Sequence, residues 1–589
     1  MLRCSLLIIV VLLLQQVPCS YARRVTERYI DVAEEALELH LDNTMEEEGR
    51  RLAESGGLKA SRRTAAPASP EDHRVVNLPG LSASISGSMK QYAGFLQVDA
   101  ERDGNIFYWL IEKPKDADKA PLVIWMNGGP GCTSMDGLFL ELGPFRLDGA
   151  KVDQLKLNPY SWHNAANMLF IDQPVGTGYS YTSRSDGYAK NDATINTHIT
   201  EFLEKFFTLH ERYTSTDPAT GARKSRPLFF TGESHAGHYI PNMMAHLLER
   251  NAALPKNGLS IDLRGAALGN PWIDPYHQYD ASELAHGLGF ITKGQLNSLR
   301  EADARCKNLL KNGKLNQHVC FELLDHVIDA ASASGGHRLL MYDARKFVSR
   351  PGSFPPGHTD MEAYMNRADV RAALHATSSS KQRFQECADP PYLALQHQDG
   401  LGATPALVTV LDKGVQVLIF TGQFDLVCNH LGVEALLAAL PWTGQADWQK
   451  AETSVWVVDR SPAGYVKVAR NLQALVVLDS GHMVPMDQPA RALDMFTKFL
   501  SATPIGAHTS SLKVSSKTPP AEGCVGGTDH RRTSAVGGQT LTALFADEKL
   551  KSQQQLFAAL YVSAAMLLFM SLLYMLHRRR TLKVQNPQS

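Results

Sequence analysis

Residues 228–237 read LFFTGESHAG, and this stretch indicates the fold more clearly than any other part of the chain. An apolar run typical of a buried strand passes directly into a turn in which small residues surround Ser234. A serine on such a strand-to-helix turn stands exposed above the sheet, where it can act as a nucleophile. The usual Gly-x-Ser-x-Gly pattern is incomplete because Ala236 takes the last position, so an ordinary turn is the alternative interpretation.

Similar apolar runs recur along the chain and alternate with stretches of helical pattern. The runs are 121–126, 167–171, 227–230, 263–268, 415–420 and 473–478. Several of them are β-branched or aromatic and are followed by Gly, Asn or Asp, which is typical of buried parallel strands. We therefore predict an α/β fold with a mostly parallel central sheet flanked by helices. The long interval 276–412 is more polar and predicts a mainly helical insertion over the strand ends.

A serine nucleophile needs a base and a group that orients the base. Asp425 and His482 each follow a predicted strand, at the end of the sheet where such groups lie. The chain order Ser, Asp, His is the order of the α/β-hydrolase fold. We therefore predict this fold, with Ser234, Asp425 and His482 as the catalytic triad.

A glycine-rich turn, NGGPG at residues 127–131, directly follows the first predicted parallel strand. Glycines let backbone N–H groups approach the oxygen that becomes negative during acyl transfer. We expect the backbone N–H groups of Gly129 and His235 to form this oxyanion hole.

Both ends of the chain carry apolar segments. Residues 1–22 have an early arginine, an apolar run and small residues at the end, as in a secretory signal peptide; a retained signal anchor is the alternative. Residues 556–576 contain no charged residue and are long enough to span a membrane, although a buried core helix is the alternative. The basic tail 577–589 predicts a cytosolic C-terminus, hence a single-pass type I protein with a lumenal catalytic domain.

The remaining segments follow from these boundaries. Residues 23–75 form either a removed pro-segment or a lumenal leader. The catalytic core comprises 76–275 and 413–503, and the polar stretch 504–555 is a lumenal stalk. The formal net charge of −1 does not point to nucleic acid, whose binding would need a basic face. No Cys-x-x-Cys pair occurs, and we expect neither a metal nor another cofactor.

Six motifs resemble those of the serine carboxypeptidase family, in register over about residues 78–500. They are WMNGGPGC at 125–132, IDQPVGTGYS at 171–180, GES at 232–234, GN at 269–270, DLVCN at 425–429 and GHMVP at 481–485. The resemblance implies hydrolysis of peptides at their C-termini by the triad named above.

The resemblance also implies a site for the free carboxylate of the substrate, formed by Trp125, Asn127, Glu141 and Glu233. Two adjacent carboxyl groups cannot both ionise easily, so one retains a proton at mildly acidic pH. That proton can bridge to a substrate carboxylate, and we therefore expect an exopeptidase that acts in acid.

A secretory compartment favours disulfide formation. We expect the pairs Cys132–Cys387 and Cys306–Cys320, and a free thiol at Cys428 beside the triad. The first disulfide would bring Asp136 and Glu386 together near the oxyanion turn.

The segment order is similar to that of the Golgi pheromone-processing branch of the family, whose members trim C-terminal Lys and Arg after an upstream dibasic endoprotease. The resemblance thus implies the Golgi or trans-Golgi network membrane as the location. Asp136 and Glu386 are the predicted pocket for the basic side chain. The substrates would be peptide and protein C-termini.

Two positions depart from the family pattern. His235 stands where the family usually has Tyr, in the wall of the pocket for the penultimate residue, and Pro271 replaces a usual Gly. Four alternative functions remain open at this point: a broad-specificity carboxypeptidase, an acyltransferase, a lipase, and a non-catalytic lumenal binding protein.

Overall fold

Short apolar runs with little exposed surface form the strands at the centre of the main sheet. The computed structural model describes residues 69–506 except 149–150, 256–257, 333–335, 350–353, 378–382 and 504. The strands of this part are β1 Gln91–Asp99, β2 Gly104–Ile111, β3 Leu122–Met126, β4 Phe145–Asp148, β5 Lys151–Leu157, β6 Asn167–Asp172, β7 Thr214–Thr216, β8 Arg223–Ser225, β9 Leu228–Glu233, β10 Leu259–Ser260, β11 Leu263–Gly269, β12 Arg338–Leu339, β13 Phe347–Val348, β14 Gln416–Gly422, β15 Thr453–Val458, β16 Ser461–Ala469 and β17 Leu472–Val477.

Helices alternate with these strands in the first and last thirds of the described chain and predominate between β11 and β14. They are α1 Ala83–Ser88, α2 Asp192–Leu209, α3 Ala236–Ala252, α4 Pro275–Gln278, α5 Ser282–Gly287, α6 Lys293–Lys311, α7 His318–Ala331, α8 His358–Met365, α9 Ala368–Ala373, α10 Asp389–Leu395, α11 Thr404–Asp412, α12 His430–Ala439, α13 Gln445–Lys450, α14 Val484–Asp487 and α15 Pro489–Leu500. Short 3-10 turns occur at Pro70–His73, Trp162–Asn164, Glu211–Tyr213 and Gln396–Gln398, and a π-helical turn occurs at Gly137–Glu141.

The main sheet has the strand order β1-β2-β6-β3-β9-β11-β14-β17-β16-β15. The strands from β6 to β17 pair in parallel, whereas β1, β2, β16 and β15 are antiparallel edges. All six predicted parallel strands are present. An α/β fold with a mostly parallel central sheet is therefore confirmed.

Helices cover both faces of the sheet, which is why the central strands are apolar throughout. On one face α2, α3 and α11 pack over residues such as Ile124 and Phe230. On the other face α15 packs below the sheet, where the ring centroids of Phe229 and Phe499 are 5.7 Å apart. The C-terminal ends of the parallel strands remain open for functional groups.

The interval between β11 and β14 contains α4 to α11 and the small β12–β13 hairpin. A disulfide joins Cys306 on α6 to Cys320 on α7, and these helices enclose a small apolar core of their own with α5. The interval is thus mainly helical, while its status as a separate insertion remains a prediction.

Residues 69–75, which the sequence analysis assigned to the leader, pack onto the sheet. The Val75 amide donates to the carbonyl oxygen of Gln91 over 2.9 Å, and His73 Nδ1 lies 2.7 Å from the Tyr108 hydroxyl. Val75 is fully buried.

The signal peptide, most of the leader, the stalk beyond residue 506, the membrane span and the tail lie outside the described residues. In the described part, no helix is both long and apolar enough to cross a membrane.

Candidate active site

The turn between β9 and α3 forms a nucleophile elbow. Ser234 adopts a φ of +59°, in the left-handed region. A residue other than glycine keeps this strained conformation only where surrounding contacts hold it. Its amide donates to the Gly269 carbonyl oxygen on the neighbouring strand over 3.1 Å. A Cβ atom on Gly237 would lie 2.5 Å from the Cβ of Pro271, so glycine is required at 237 rather than at 236. The imperfect sequence motif is therefore compatible with the turn.

Asp425 and His482 meet at the ends of β14 and β17. His482 Nδ1 lies 2.7 Å from Asp425 Oδ2, and the Asp425 side chain is completely buried. The Val427 and Cys428 amides also donate to this carboxylate, over 2.9 and 3.2 Å. These contacts fix the aspartate as a hydrogen-bond acceptor that can hold the imidazole in one orientation.

Cys428 joins this pair to Ser234. The sulfur of Cys428 lies with carboxylate and imidazole atoms of Asp425 and His482 in a group no wider than 4.8 Å, and its thiol is hydrogen-bonded to Ser234. The thiol is buried and unbridged, and burial raises its pKa well above the usual value. The structure thus brings the three predicted triad residues to one place, with a protonated thiol beside them.

The glycine-rich turn after β3 lies directly against the elbow. A Cβ atom on Gly128 would come within 2.5 Å of the His235 backbone nitrogen. Gly129, Ser234 and His235 line one cavity of about 330 Å³. Neither the Gly129 nor the His235 backbone N–H has an acceptor among the described residues. Two free donors beside a serine hydroxyl are suited to bind a developing oxyanion.

Asp172, at the end of β6, fixes the segment that follows the glycine-rich turn. The buried Asp172 carboxylate accepts hydrogen bonds from the Thr133 hydroxyl at 2.6 Å and from the Ser134 and Tyr179 amides at 3.0 Å each. Burial raises the pKa of Asp172 to about 6, although these donors oppose the shift. The segment after the glycine-rich turn is thereby fixed to the end of β6.

The predicted carboxylate-binding residues form one buried cluster. Asn127 Nδ2 donates to Glu233 Oε1 at 3.1 Å and to Glu141 Oε1 at 3.3 Å. The Trp125 indole N–H donates to Asn127 Oδ1 at 2.6 Å, so Trp125 orients the amide rather than offering a free donor.

Glu141 and Glu233 are hydrogen-bonded to each other, which requires a proton between them. Burial raises the pKa of Glu141 to about 7, against the opposing effect of this hydrogen bond. Burial first, and then the neighbouring Glu141, raise the pKa of Glu233 well above its usual value. The pair therefore carries a proton at acidic and neutral pH.

Asp136 and Glu386 form a second carboxyl pair. The disulfide Cys132–Cys387 joins their two segments with a Cα–Cα distance of 3.9 Å, and the Asp136 and Glu386 side chains are hydrogen-bonded. Burial, followed by the charge of Glu386, raises the pKa of Asp136. Glu386 is half-buried and lines a separate cavity of about 430 Å³.

Sequence reasoning gave no role to two groups that support the triad. Asn270 Nδ2 donates to Asp425 Oδ2 at 2.8 Å, and its Oδ1 accepts from the Gly422 amide at 3.1 Å. The Tyr342 carbonyl oxygen accepts the His482 amide at 2.8 Å. Asn270 directly follows a predicted strand, as Asp425 and His482 do, so its position in the sequence could have indicated a role at the site. No sequence feature indicates a role for Tyr342.

The elbow geometry predicts that Ser234 is the group attacked by electrophiles. A serine-reactive fluorophosphonate should label the wild-type chain, and Ser234→Ala should lower the labelling rate by about 10³-fold or more, because the nucleophile is removed. Ser298→Ala, at an exposed position on α6, is the matched control and should label normally. Equal labelling of Ser234→Ala and wild type would show that another group reacts.

Comparison with known proteins gives a consistent result. Residues 79–502 match the serine carboxypeptidase family. A protein of Phytophthora infestans named pheromone-processing carboxypeptidase KEX1 is 39% identical over 434 residues, covering 73% of this chain and 71% of that protein. Serine carboxypeptidase S10 family member 2 of Dictyostelium discoideum is 36% identical over 468 residues, covering 77% and 80%.

Among solved structures, the prohormone-processing carboxypeptidase Kex1 of Saccharomyces cerevisiae has a similar fold. The TM-score is 0.65 at 27% sequence identity, covering 74% of this chain and 97% of that structure. The family match includes the elbow, the triad and both carboxyl pairs. The chain therefore belongs to the serine carboxypeptidase family.

Proposed function

We propose that this serine carboxypeptidase releases C-terminal Lys and Arg residues from peptides and precursor proteins at acidic pH, on an α/β-hydrolase fold. The names of two similar proteins, pheromone-processing and prohormone-processing carboxypeptidase, support this substrate class. The observation that carries the proposal is the hydrogen-bonded Asp136–Glu386 pair beside the carboxylate-binding cluster.

The triad would cleave the last peptide bond in two steps. Ser234 Oγ attacks the carbonyl carbon while His482 takes the serine proton, and Asp425 holds the imidazole. His482 then gives this proton to the leaving amino group, and an acyl-enzyme remains. Water attacks the acyl-enzyme in the second step and frees Ser234. The N–H groups of Gly129 and His235 stabilise the oxyanion in both steps.

The carboxyl cluster would select a free C-terminus. Trp125 holds the Asn127 amide in place, and a bound substrate carboxylate would replace one carboxyl oxygen of the Glu141–Glu233 pair as the acceptor of an Asn127 amide hydrogen. The proton of the pair would then bridge to the substrate carboxylate. A chain that continued past this point would meet buried carboxyl groups with no matching charge. The arrangement therefore favours an exopeptidase.

Asp136 and Glu386 would bind the side chain of the terminal residue. The Cys132–Cys387 disulfide holds their two segments together, so a cation that binds at Glu386 would also be attracted by the neighbouring buried Asp136. An apolar side chain would leave this pair desolvated and without a counter-charge. Specificity for Lys and Arg is favoured over broad specificity for this reason.

The other candidate functions fit the site less well. An acyltransferase would use the same acyl-enzyme, but it has no use for a carboxylate-binding cluster beside the serine. The same argument weighs against a lipase. A non-catalytic binding protein would not need free oxyanion donors and a triad with hydrogen-bonded members.

The terminal side-chain preference is tested by changing both acids. Wild type should cleave Ala-Ala-Ala-Arg faster than Ala-Ala-Ala-Leu, and Asp136→Asn with Glu386→Gln should reduce this kcat/KM ratio at least about tenfold, since a charge partner is lost. Glu301→Gln, an exposed neutralisation on α6, is the control. An unchanged ratio in the double variant would contradict the assignment of the pocket.

The carboxylate cluster predicts a pH-dependent KM. Glu141 has a pKa of about 7, so the pair is uncharged below that pH and repels the substrate carboxylate above it. KM should rise above about pH 7, by up to about tenfold per pH unit. Glu233→Gln removes one of the two carboxyl groups of the pair and the proton that it carries, so KM should be higher and its pH dependence flatter.

Glu249→Gln, at an exposed position on α3, is the control and should keep the wild-type profile. A KM that responds to neither pH nor Glu233→Gln would exclude the pair as the carboxylate site.

We further propose that residues 556–576 anchor the enzyme in the Golgi or trans-Golgi network membrane, with the catalytic domain lumenal, downstream of a dibasic endoprotease. The uncharged span and the basic residues after it support this topology. The full chain should stay in the membrane pellet after alkaline carbonate washing, and a chain ending at residue 555 should be secreted. A carbonate-soluble full chain would contradict the anchor.

A further inference from the structure

The π-helical turn that ends at Glu141 connects the two carboxyl pairs. Asp136 directly precedes the turn, and Glu141 is its last residue. At the start of the turn, the Gly137 amide donates to Asn127 Oδ1 over 3.1 Å. A Cβ atom on Gly137 would lie 2.0 Å from the Trp125 indole nitrogen, so a side chain there would collide with the indole ring. The start of the turn is thereby fixed against the carboxylate-binding cluster.

Arg146, on β4, holds the other end of the turn. Its guanidinium group donates to four backbone carbonyl oxygens, which are those of Phe139 at 3.2 Å, Gly143 at 3.4 Å, Phe145 at 2.9 Å and Glu141. The last carbonyl groups of a helical turn have no partner within the turn, and a cation at this end is favourable. Arg146 therefore closes the end of the turn at which Glu141 lies.

The positive charge of Arg146 has no role in the proposed function. Arg146 is partly buried, and no carboxylate of the described residues forms an ion pair with it. Burial lowers the pKa of Arg146 to about 10, so the side chain stays positively charged at acidic and neutral pH. A partly desolvated cation without a counter-ion is costly. Its unpaired charge therefore acts on the buried Glu141 carboxyl group, whose own backbone it contacts.

We propose that Arg146 is a positioning residue for recognition of the substrate carboxylate. It holds the backbone of Glu141 in place, and its positive charge sets the pH above which the Glu141–Glu233 pair repels that carboxylate. This inference rests on the proposed function, because it concerns the same carboxylate site. Arg146 is assigned no contact with the substrate and acts only through Glu141.

The pH dependence follows from the groups around Glu141. The charged and titratable groups that face it are Glu233 at the end of β9, Asp136 before the turn, His482 after β17, and Arg146. Burial raises the pKa of Glu141 to about 7, and the charge of Arg146 is one of the effects that oppose this rise. Loss of this charge should raise the pKa of Glu141 further, so the pair would keep its proton to a higher pH. The rise in KM that we expect above about pH 7 should then begin at a higher pH.

The test compares Arg146→Gln with Arg146→Lys in the full chain, with Ala-Ala-Ala-Arg as the substrate at acidic to alkaline pH. Neither side chain can replace the planar guanidinium fork. Both variants should therefore raise KM at acidic pH by about tenfold, as expected for the loss of a charge-assisted hydrogen bond. Lys keeps the positive charge and Gln does not, so only Arg146→Gln should move the onset of the KM rise to a higher pH.

Two controls separate positioning from damage to the fold. Fluorophosphonate labelling of Ser234 needs no substrate carboxylate, so both variants should be labelled at the wild-type rate. Arg305→Gln, at an exposed position on α6, removes a positive charge far from these contacts in the chain and should keep the wild-type KM at every pH.

The outcomes separate this inference from the proposed function. A wild-type KM at acidic pH in both variants, or a wild-type onset in Arg146→Gln, overturns the role of Arg146 alone. The inference also fails if labelling of Ser234 falls as far as kcat/KM, which would indicate general damage, or if the onset moves equally in Arg146→Lys. Failure of wild type to release Arg overturns the proposed function instead.

Discussion

The close approach of the glycine-rich turn to the nucleophile elbow is the constraint on which the site depends. Gly128 lies so close to the His235 amide that a side chain there would collide with it, and the residues on either side of Gly128 make different contacts. Gly129 lines the cavity of Ser234, whereas Asn127 donates to the carboxyl pair. The elbow shows the same division, because Ser234 lines the cavity and its neighbour Glu233 belongs to the carboxyl pair. The spacing between the elbow serine and the buried carboxyl pair is thus set by adjacent backbone positions.

This arrangement places several acidic side chains in a buried region, and the structure stabilises them in two ways. Asp172 and Asp425 are surrounded by donors, so each can be held as an acceptor. Glu141 and Glu233 instead hydrogen-bond to each other and retain a proton. The first solution gives rigid anchors for the loops. The second arrangement, the Glu141–Glu233 pair, gives a group whose charge changes with pH.

Much of the fold could be predicted from the sequence because the central strands are continuous apolar runs. The meeting of Ser234, Asp425 and His482 could be predicted because these residues follow three such strands, whose ends lie at one edge of the sheet. By contrast, Val75 and His73 sit in a short segment without periodicity, and only tertiary contacts show that it belongs to the fold.

The interval between β11 and β14 contacts the segment that carries His482 and also lines the cavity of Ser234. Its Tyr342 carbonyl holds the His482 amide, and Arg345 bridges Asp343 to Asp487 at 2.7 and 2.8 Å. Asp487 in turn accepts the amide of Gly481, the residue before His482, at 2.7 Å. The same interval supplies Phe321 and Tyr392 to the lining of the cavity that contains Ser234. A change that shifts this interval would therefore move His482 and the lining of this cavity together.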